Sequence, residues 1–281
     1  MSNRAAGFLG LNALLAIAFA PFAGAASITF AVPTTAVAYD EDVIDFGTVG
    51  PGQSLEIIAS NRAGDMSELK KGAKSDWDRL EIVKESLPAG WSAQDGKIYE
   101  TSFKAFVMAS KNARDGEYRF QLLAVDEYEG VNPVAVSARI RVDHRVLGVS
   151  VRPGDVTSGL GTPALFLLEL DNTASASDSA EIRLSGFPGA AAYAKRVFLH
   201  RRAVTRVPVE IAQNEQATRG ITFSVTSLSS PRISANVTAS LTSRASLFED
   251  LQSAGYGILL FPNTQQAAVG LLAFFANTIY S

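Results

Sequence analysis

The chain has 281 residues, of which 47% are hydrophobic and 19% are charged, with a formal net charge of −3 and no cysteine. This length suffices for two domains, and the composition excludes both a disordered chain and a multi-span membrane protein. The lack of cysteine excludes disulfides, thiolate metal sites and a cysteine nucleophile. Without a polybasic surface pattern, we expect no nucleic-acid partner.

An apolar run opens the chain. Residues 1–38 contain no acidic residue and a single basic one. This composition predicts a signal peptide or an N-terminal membrane-anchor helix, and so an extracellular or cell-envelope protein. Small-x-small cleavage motifs end at Ala25 and at Ala38. We take residues 1–38 as the targeting segment because Ala38 precedes an acidic stretch; cleavage after Ala25 and an uncleaved anchor are the alternatives.

A strand-and-turn pattern then occurs twice. The first copy reads SLEIIASN, LEIVKESLPAGWSA, SFKAFVMASKNARDGEYRFQLLAVD and PVAVSARIRV. The second reads ALFLLELDN, AEIRLSGFPGAAAYA, TRVPVEIAQNEQATRGITFSVTSL and ISANVTASLTS. Three residue pairs fall at matching points: Asn61/Asn172, Pro88/Pro188 and Gly116/Gly220. A repeated order of elements indicates a duplicated structural unit.

Each copy predicts short strands with turns between them. The runs are rich in Val, Ile, Leu, Phe and Thr, alternate with a period of two, and are separated by Pro-Gly and Asp-Gly turns. We therefore predict an all-β fold of two tandem immunoglobulin-like β-sandwiches, residues 39–145 and 146–245, stacked through a short linker. The stretch 66–80 has no counterpart in the second copy and is interpreted as a polar insertion.

Residues 246–281 form an apolar C-terminal segment. Within it, residues 255–280 are mostly apolar but are interrupted by a polar stretch at 262–266. The uninterrupted remainder is too short to span a bilayer. We predict a short helical segment that contacts a membrane through residues 255–280. A kinked spanning helix, a hairpin on the membrane surface and a helix docked on the second sandwich are the alternatives.

The pattern LEIVKESLPAGWSA followed by DGEYRFQLLAVD resembles the immunoglobulin-like modules of archaeal and bacterial surface proteins. These include CARDB-type (cell adhesion related) domains and sandwich modules appended to glycosidases. The resemblance covers residues 42–245 and implies a sandwich fold, extracellular placement and a spacer or adhesive role without activity of its own. The second copy departs from the pattern at residues 190–193, where the first has Trp91.

Catalytic motifs are sparse. The two histidines, His144 and His200, lie near predicted strand ends beside arginines, and no G-x-S-x-G, H-E-x-x-H, Walker or dinucleotide motif occurs. We therefore predict no enzymatic activity, no catalytic residue, no cofactor and no metal. Acidic turns at residues 40–45 and 126–129 lack a calcium loop and are interpreted as solvated, with calcium between the modules as the alternative.

Charge divides unevenly between the two copies. Residues 39–145 hold 14 Lys and Arg against 19 Asp and Glu, whereas residues 146–245 hold 10 against 7. The second copy carries a candidate basic contact group: Lys195, Arg196, Arg201, Arg202 and Arg206. It predicts contact with an acidic partner, either the first module of another copy or another envelope protein. Protection of a strand edge against aggregation is the alternative.

Three further residues are candidates for glycan contact or glycan attachment. Trp77, in the polar insertion, and Trp91 are candidate platforms for stacking on sugar rings, with a role as a core plug as the alternative for Trp91. Asn236 lies in the only N-x-S/T sequon and is a candidate glycosylation site.

These observations predict an exported cell-envelope structural, spacer or adhesion protein without catalytic activity. An extracellular glycan-binding or protein-binding module is the first alternative. An accessory part of a secreted hydrolase is the more remote one.

Overall fold

β-strands dominate the described residues, which are 26–63, 76–128 and 131–245 of a computed structural model. Within these ranges the helical elements are two short 3-10 turns, Lys84–Ser86 and Ala190–Ala192, so the all-β prediction is confirmed. None of these residues belongs to a helix with the length and apolarity that a bilayer crossing requires. Three predicted segments lie wholly or partly outside the described residues: residues 1–25 of the N-terminal segment 1–38, residues 66–75 of the insertion, and the C-terminal segment 246–281.

The strands form two sheet pairs. Those of the first pair are β1 (Ser27–Val32), β2 (Ala36–Tyr39), β3 (Val43–Val49), β4 (Ser54–Ser60), β5 (Arg79–Ile82), β6 (Ser92–Gln94), β7 (Ser102–Met108), β8 (Gly116–Val125) and β9 (Val134–Val142). Those of the second pair are β10 (Leu147–Arg152), β11 (Asp155–Gly159), β12 (Ala164–Asn172), β13 (Asp178–Ser185), β14 (Ala194–Leu199), β15 (Ala203–Ile211), β16 (Ala217–Ser227) and β17 (Ser234–Arg244).

In the first sheet pair, one sheet has the order β2-β1-β4-β7-β6 and the other β3-β9-β8-β5. Strand β9 shows why these residues form a sandwich: every second residue from Val134 to Val142 is buried. Such alternation directs one face of the strand toward the opposite sheet. The core between the sheets contains Phe30, Phe46 and Phe120.

The second sheet pair has a similar arrangement, with the orders β10-β12-β15 and β11-β17-β16-β13-β14, but its edge strand β14 pairs with β13, whereas β6 pairs with β7. In both pairs a short strand runs parallel to the last one, β3 beside β9 and β11 beside β17, while their other neighbours are antiparallel. The rings of Phe166 and Phe223 meet edge to face in the second core, with centroids 5.7 Å apart. These strand orders are those of an immunoglobulin-like sandwich.

The structure differs from the predicted boundary at residue 38. Strands β1 and β2 form a hairpin, and β1 also pairs with β4, so residues 27–39 belong to the first sheet pair. Phe30 is fully buried and packs edge-on against Phe46 at 5.3 Å between centroids. The apolar sequence of this buried strand continues the N-terminal apolar run, which explains the discrepancy. Cleavage after Ala38 would remove a core strand, whereas cleavage after Ala25 would leave it intact.

Replacing Phe30 by alanine is expected to lower the free energy of unfolding by about 3–5 kcal/mol, because a buried ring is lost and a cavity remains. Val37 on β2 is 52% exposed, so Val37→Ala is the matched control and should change stability by less than about 0.5 kcal/mol. Urea unfolding followed by circular dichroism measures both. A small loss for both variants would mean that β1 is not part of the core.

Candidate functional site

The adjoining ends of the two sheet pairs form a buried polar site. It is built from the turn at residues 50–53 after β3, the start of β13 and the loop between β16 and β17. Gln53 and Asp178 are 2% and 6% exposed, and the Gln53 Nε2 group donates a hydrogen bond to Asp178 Oδ2 at 2.8 Å. A buried hydrogen bond thus joins side chains that are 125 residues apart in the chain.

Asp178 is the centre of this site. Its Oδ2 also accepts from Ser227 Oγ at 2.6 Å, and its Oδ1 accepts from Ser229 Oγ and from the Ser179 amide, each at 2.7 Å. A buried carboxylate is costly unless hydrogen bonds satisfy it, and here each oxygen accepts two. The site therefore stabilises a buried acid without exposing it to solvent.

Glycines allow the turn at residues 50–53 to approach the second sheet pair. Gly52 has a φ of 75°, and a Cβ there would collide with the backbone oxygen of Ser229. A Cβ on Gly50 would likewise collide with Ile233. Pro51-Gly52 is one of the Pro-Gly turns that the sequence predicted, but its role was not predicted, because the close approach depends on a loop that lies far away in the sequence.

Three more contacts cross between the sheet pairs. The Ser175 amide donates to Thr48 O at 2.7 Å, and Arg232 Nη1 donates to Ala113 O at the same distance. Ala176, from the loop before β13, packs into the first core. Backbone, side-chain and apolar contacts therefore all hold the two sheet pairs together.

The predicted basic group does not form one free patch. Its members lie on β14 in one sheet, on β15 in the other sheet and on the turn between them. Arg201 pairs with Glu56 of the first sheet pair at 3.3 Å, and Arg202 donates to Ser175 Oγ at 3.0 Å. Arg201 thus contacts the first sheet pair of the same chain and Arg202 a loop of its own sheet pair, whereas the sequence suggested a neighbouring copy or another envelope protein.

The rest of the group lies on the surface of the second sheet pair. Arg206 pairs with Glu169 at 3.0 Å, and Arg196 lies 3.5 Å from Glu181. Lys195 is exposed on β14. Exposed pairs of this kind contribute little to stability and leave these side chains accessible.

One carboxylate beside the interface has a shifted pKa. The pKa of Asp45 lies below its ordinary value, chiefly because the Gly47 amide donates to the carboxylate at 2.8 Å. The charges of Arg139 and Arg202 act in the same direction. Arg202 therefore contributes to the electrostatics of both sheet pairs.

Neither tryptophan can serve as a sugar platform as predicted. Trp77 is 1% exposed, and its indole N–H donates to Ser27 O at 3.0 Å. Trp91 is 9% exposed and packs against Tyr118 with ring centroids 5.3 Å apart. Burial of the ring is typical of a core residue, so the core-plug alternative describes Trp91, and Trp77 is a core residue as well. Trp77 also shows that the end of the predicted polar insertion belongs to the core.

Asn236 is exposed on β17, where it lies opposite Ser224 of β16. Its side chain is accessible, as glycan attachment requires. Glycosylation there stays a prediction.

Sequence reasoning missed an exposed aromatic pair. Tyr99 and Tyr128 are 56% and 76% exposed, with ring centroids 6.5 Å apart. The pKa of Tyr99 lies well above its ordinary value. The larger cause is the hydrogen bond between its hydroxyl and that of Tyr128, and the second is the hydrogen bond to Glu127. The two residues come from separate loops, so no local motif identifies them.

A second group that no sequence motif indicated lies at the linker. Ligand atoms of Asp115, Asp143 and His144 lie within 4.8 Å of one another. His144 Nδ1 is 2.5 Å from Asp115, and Arg145 lies 3.2 Å from Asp143. The hydrogen bond from Arg145 holds the pKa of Asp143 below its ordinary value. Both carboxylates are therefore already paired with groups on the linker.

Comparison with solved structures finds tandem immunoglobulin domains and an adhesin. A chimeric titin Z1Z2 carrying a KLER peptide from decorin is 14% identical with a TM-score of 0.37, and the match covers 79% of this chain and 99% of that chain. The tandem Ig repeats of Dlar are 8% identical with a TM-score of 0.26, covering 78% and 99%. The Yersinia pseudotuberculosis adhesin InvE is 9% identical with a TM-score of 0.27, covering 71% and 57%.

No protein-family model and no curated protein matches the sequence. The resemblance to CARDB-type modules therefore rests on the quoted sequence pattern. The immunoglobulin-like character rests on the strand orders described above.

Replacing Asp178 by alanine is expected to lower the free energy of unfolding by about 3 kcal/mol, because donors from both sheet pairs lose a charged acceptor. Asp171→Ala removes an exposed carboxylate on β12 and should change stability by less than about 0.5 kcal/mol. Equilibrium denaturation of the two variants makes the comparison. Equal effects would contradict a central role for Asp178.

Proposed function

We propose that this protein is an exported cell-envelope structural or spacer protein, built from two immunoglobulin-like domains and without catalytic activity. The interface around Asp178 carries the proposal. A spacer must hold its modules at a set distance and orientation, and a buried hydrogen-bond network between modules provides that. Interfaces between domains of one chain otherwise permit relative motion.

Placement in the envelope is supported by the N-terminal apolar run and by the lack of cysteine. An apolar targeting segment directs export. Residues 255–280 would then hold the protein at a membrane, and the two domains would project from it.

Binding of a glycan or of another protein is the second candidate function. It is favoured by Tyr99 and Tyr128, whose exposed rings lie on loops of the first sheet pair. Tyrosine supplies large, rigid and amphipathic contact area, which suits recognition by loops at the end of a sandwich. A rigid pair of domains would then present this aromatic pair to its partner.

Small-angle X-ray scattering tests the rigidity on which the spacer role depends. The variant Gln53→Ala/Arg201→Ala/Arg232→Ala removes three side-chain contacts between the sheet pairs. It is expected to broaden the distribution of interatomic distances. The matched control, Arg196→Ala/Arg206→Ala, removes pairs within the second sheet pair and should scatter like the unmodified protein. Unchanged scattering of the triple variant would count against an interface that fixes the two domains.

Fractionation of native cells, with mass spectrometry of the N-terminal peptide, tests export. We expect the protein in the envelope or the medium, with a mature chain that begins at or before Ala26 and so retains β1. A cytoplasmic protein with an intact N-terminus would refute export. A mature start after Ala38 would be inconsistent with the fold.

A further inference from the structure

One sheet edge differs from the others because nothing blocks it. Exposed edge strands can pair with another chain, and proteins prevent this with charged residues, proline or very short strands. Among the described residues, every edge strand except β2 carries a charged residue or is the three-residue β6. β2 reads AVAY, and its side chains Val37 and Tyr39 are 52% and 49% exposed. β2 is therefore the edge best suited to accept a further strand.

The backbone of β2 has hydrogen-bonding groups that are open at this edge. The Asp42 amide donates to Tyr39 O at 3.2 Å, and the Tyr39 amide donates to Asp42 Oδ2 at 2.8 Å. Both backbone groups of Tyr39 therefore point away from β1. Because residues alternate in direction along an antiparallel strand, the N–H and C=O of Val37 point the same way. They are available to a strand from another molecule.

The edge strand β14 of the second sheet pair has a matching pattern. Ser179 of β13 lies opposite Phe198 of β14, and Ser179 O accepts from the Leu228 amide at 2.8 Å, on the side away from β14. Phe198 and Ser179 thus form a pair without hydrogen bonds, and the N–H and C=O of Phe198 face the open edge. The side chain of Phe198 is 53% exposed.

Charge makes the two edges complementary. Lys195 of β14 lies opposite the buried Ile182, so its side chain is on the face of the sheet that is directed toward the core. An inward-pointing charge of this kind hinders the pairing of two like edges. Asp40, directly after β2, is also directed toward the opposite sheet, where its Oδ1 accepts from the Ala135 amide at 2.8 Å. Opposite charges therefore lie on the same side of the two edges.

We propose that β14 of one copy pairs in an antiparallel manner with β2 of a second copy, adding a strand to the edge of its sheet. Val37 and Phe198 exchange both backbone hydrogen bonds. The register places Val37 opposite Phe198, Ala38 opposite Val197 and Asp40 opposite Lys195. Side chains of the outer faces then meet each other, as do those of the core-facing sides, and a shift by one residue would break this match.

This contact joins the first domain of each copy to the second domain of its neighbour. It leaves an open β2 at one end of the pair and an open β14 at the other. Such head-to-tail contacts continue into a filament unless the rotation between copies closes a ring. The inference goes beyond the spacer role, which a single chain with a rigid interface can perform.

Disulfide trapping between copies tests the register, because the native chain has no cysteine. Full chains with Val37→Cys are mixed, in a mild detergent, with differently tagged full chains that carry Phe198→Cys. The two Cα atoms are expected about 5.5 Å apart, a separation that a disulfide spans. The control replaces Phe198→Cys by Leu165→Cys, which is 55% exposed on β12.

The pairing predicts that the mixed dimer with Phe198→Cys forms about tenfold faster or more than with the control, because the two thiols are held together. Equal rates overturn the proposal. Dimers of the Val37→Cys chain with itself in place of the mixed dimer also overturn it, since they would mean that β2 pairs with a second β2.

Sedimentation of the full chain in the same detergent tests the contribution of charge. Lys195→Glu places two carboxylates opposite each other, so the dissociation constant between copies should rise about tenfold or more. Lys104→Glu makes the same change of charge at an exposed residue of β7 and should leave association unaltered. Association that responds equally to the two variants, or an unmodified chain that stays monomeric at all concentrations, overturns the proposal without affecting the rigid interface between the domains.

Discussion

The position of one sheet pair relative to the other depends on a buried carboxylate. Asp178 accepts four hydrogen bonds, and one of the donors, Gln53, comes from the first sheet pair. Since hydrogen bonds lose strength within a few tenths of an ångström and a few tens of degrees, this donor limits how far the sheet pairs can rotate. The close approach at Gly50 and Gly52 and the packing of Ala176 into the first core occur at the same junction.

The opposite net charges of the two halves allow ion pairs to form between them within a single molecule. Arg201 and Arg202 lie where the second sheet pair adjoins the first, and Glu56 and Asp45 of the first pair lie beside them. These contacts are partly exposed, so salt screens them and their energy is modest. They help to orient the two sheet pairs, while the buried groups supply most of the stability of the interface.

Local patterns predicted the strands well. The alternation in β9 is a property of neighbouring residues, and the Pro51-Gly52 turn follows from the conformations that these residues prefer. Long-range contacts decided the rest. In the sequence Trp77 belongs to a polar stretch, and only its hydrogen bond to Ser27 in the fold shows it to be a core residue. Asp178 likewise has no distinguishing local pattern, and its role follows from the hydrogen bond with the distant Gln53.

The same reasoning explains the start of the first sandwich. A strand that is buried on one face and has few charged residues resembles the end of a targeting segment in composition, and β1 directly follows the apolar run of residues 1–25. Its pairing with β2 and β4 distinguishes the two. The aromatic pair was missed for a related reason, since Tyr99 and Tyr128 meet only where two loops come together.

The parallel pairs have a mechanical consequence. β11 lies near the point where the chain enters the second sheet pair, and β17 is the strand by which it leaves, so tension on the two ends pulls these neighbours in opposite directions. The hydrogen bonds between them are evenly spaced along parallel strands and are then loaded together in shear, whereas an antiparallel hairpin pulled at its open end releases them one at a time. β3 and β9 are arranged in the same way. The fold thus resists stretching along the chain, a property that matters for any protein that bears load between two attachment points.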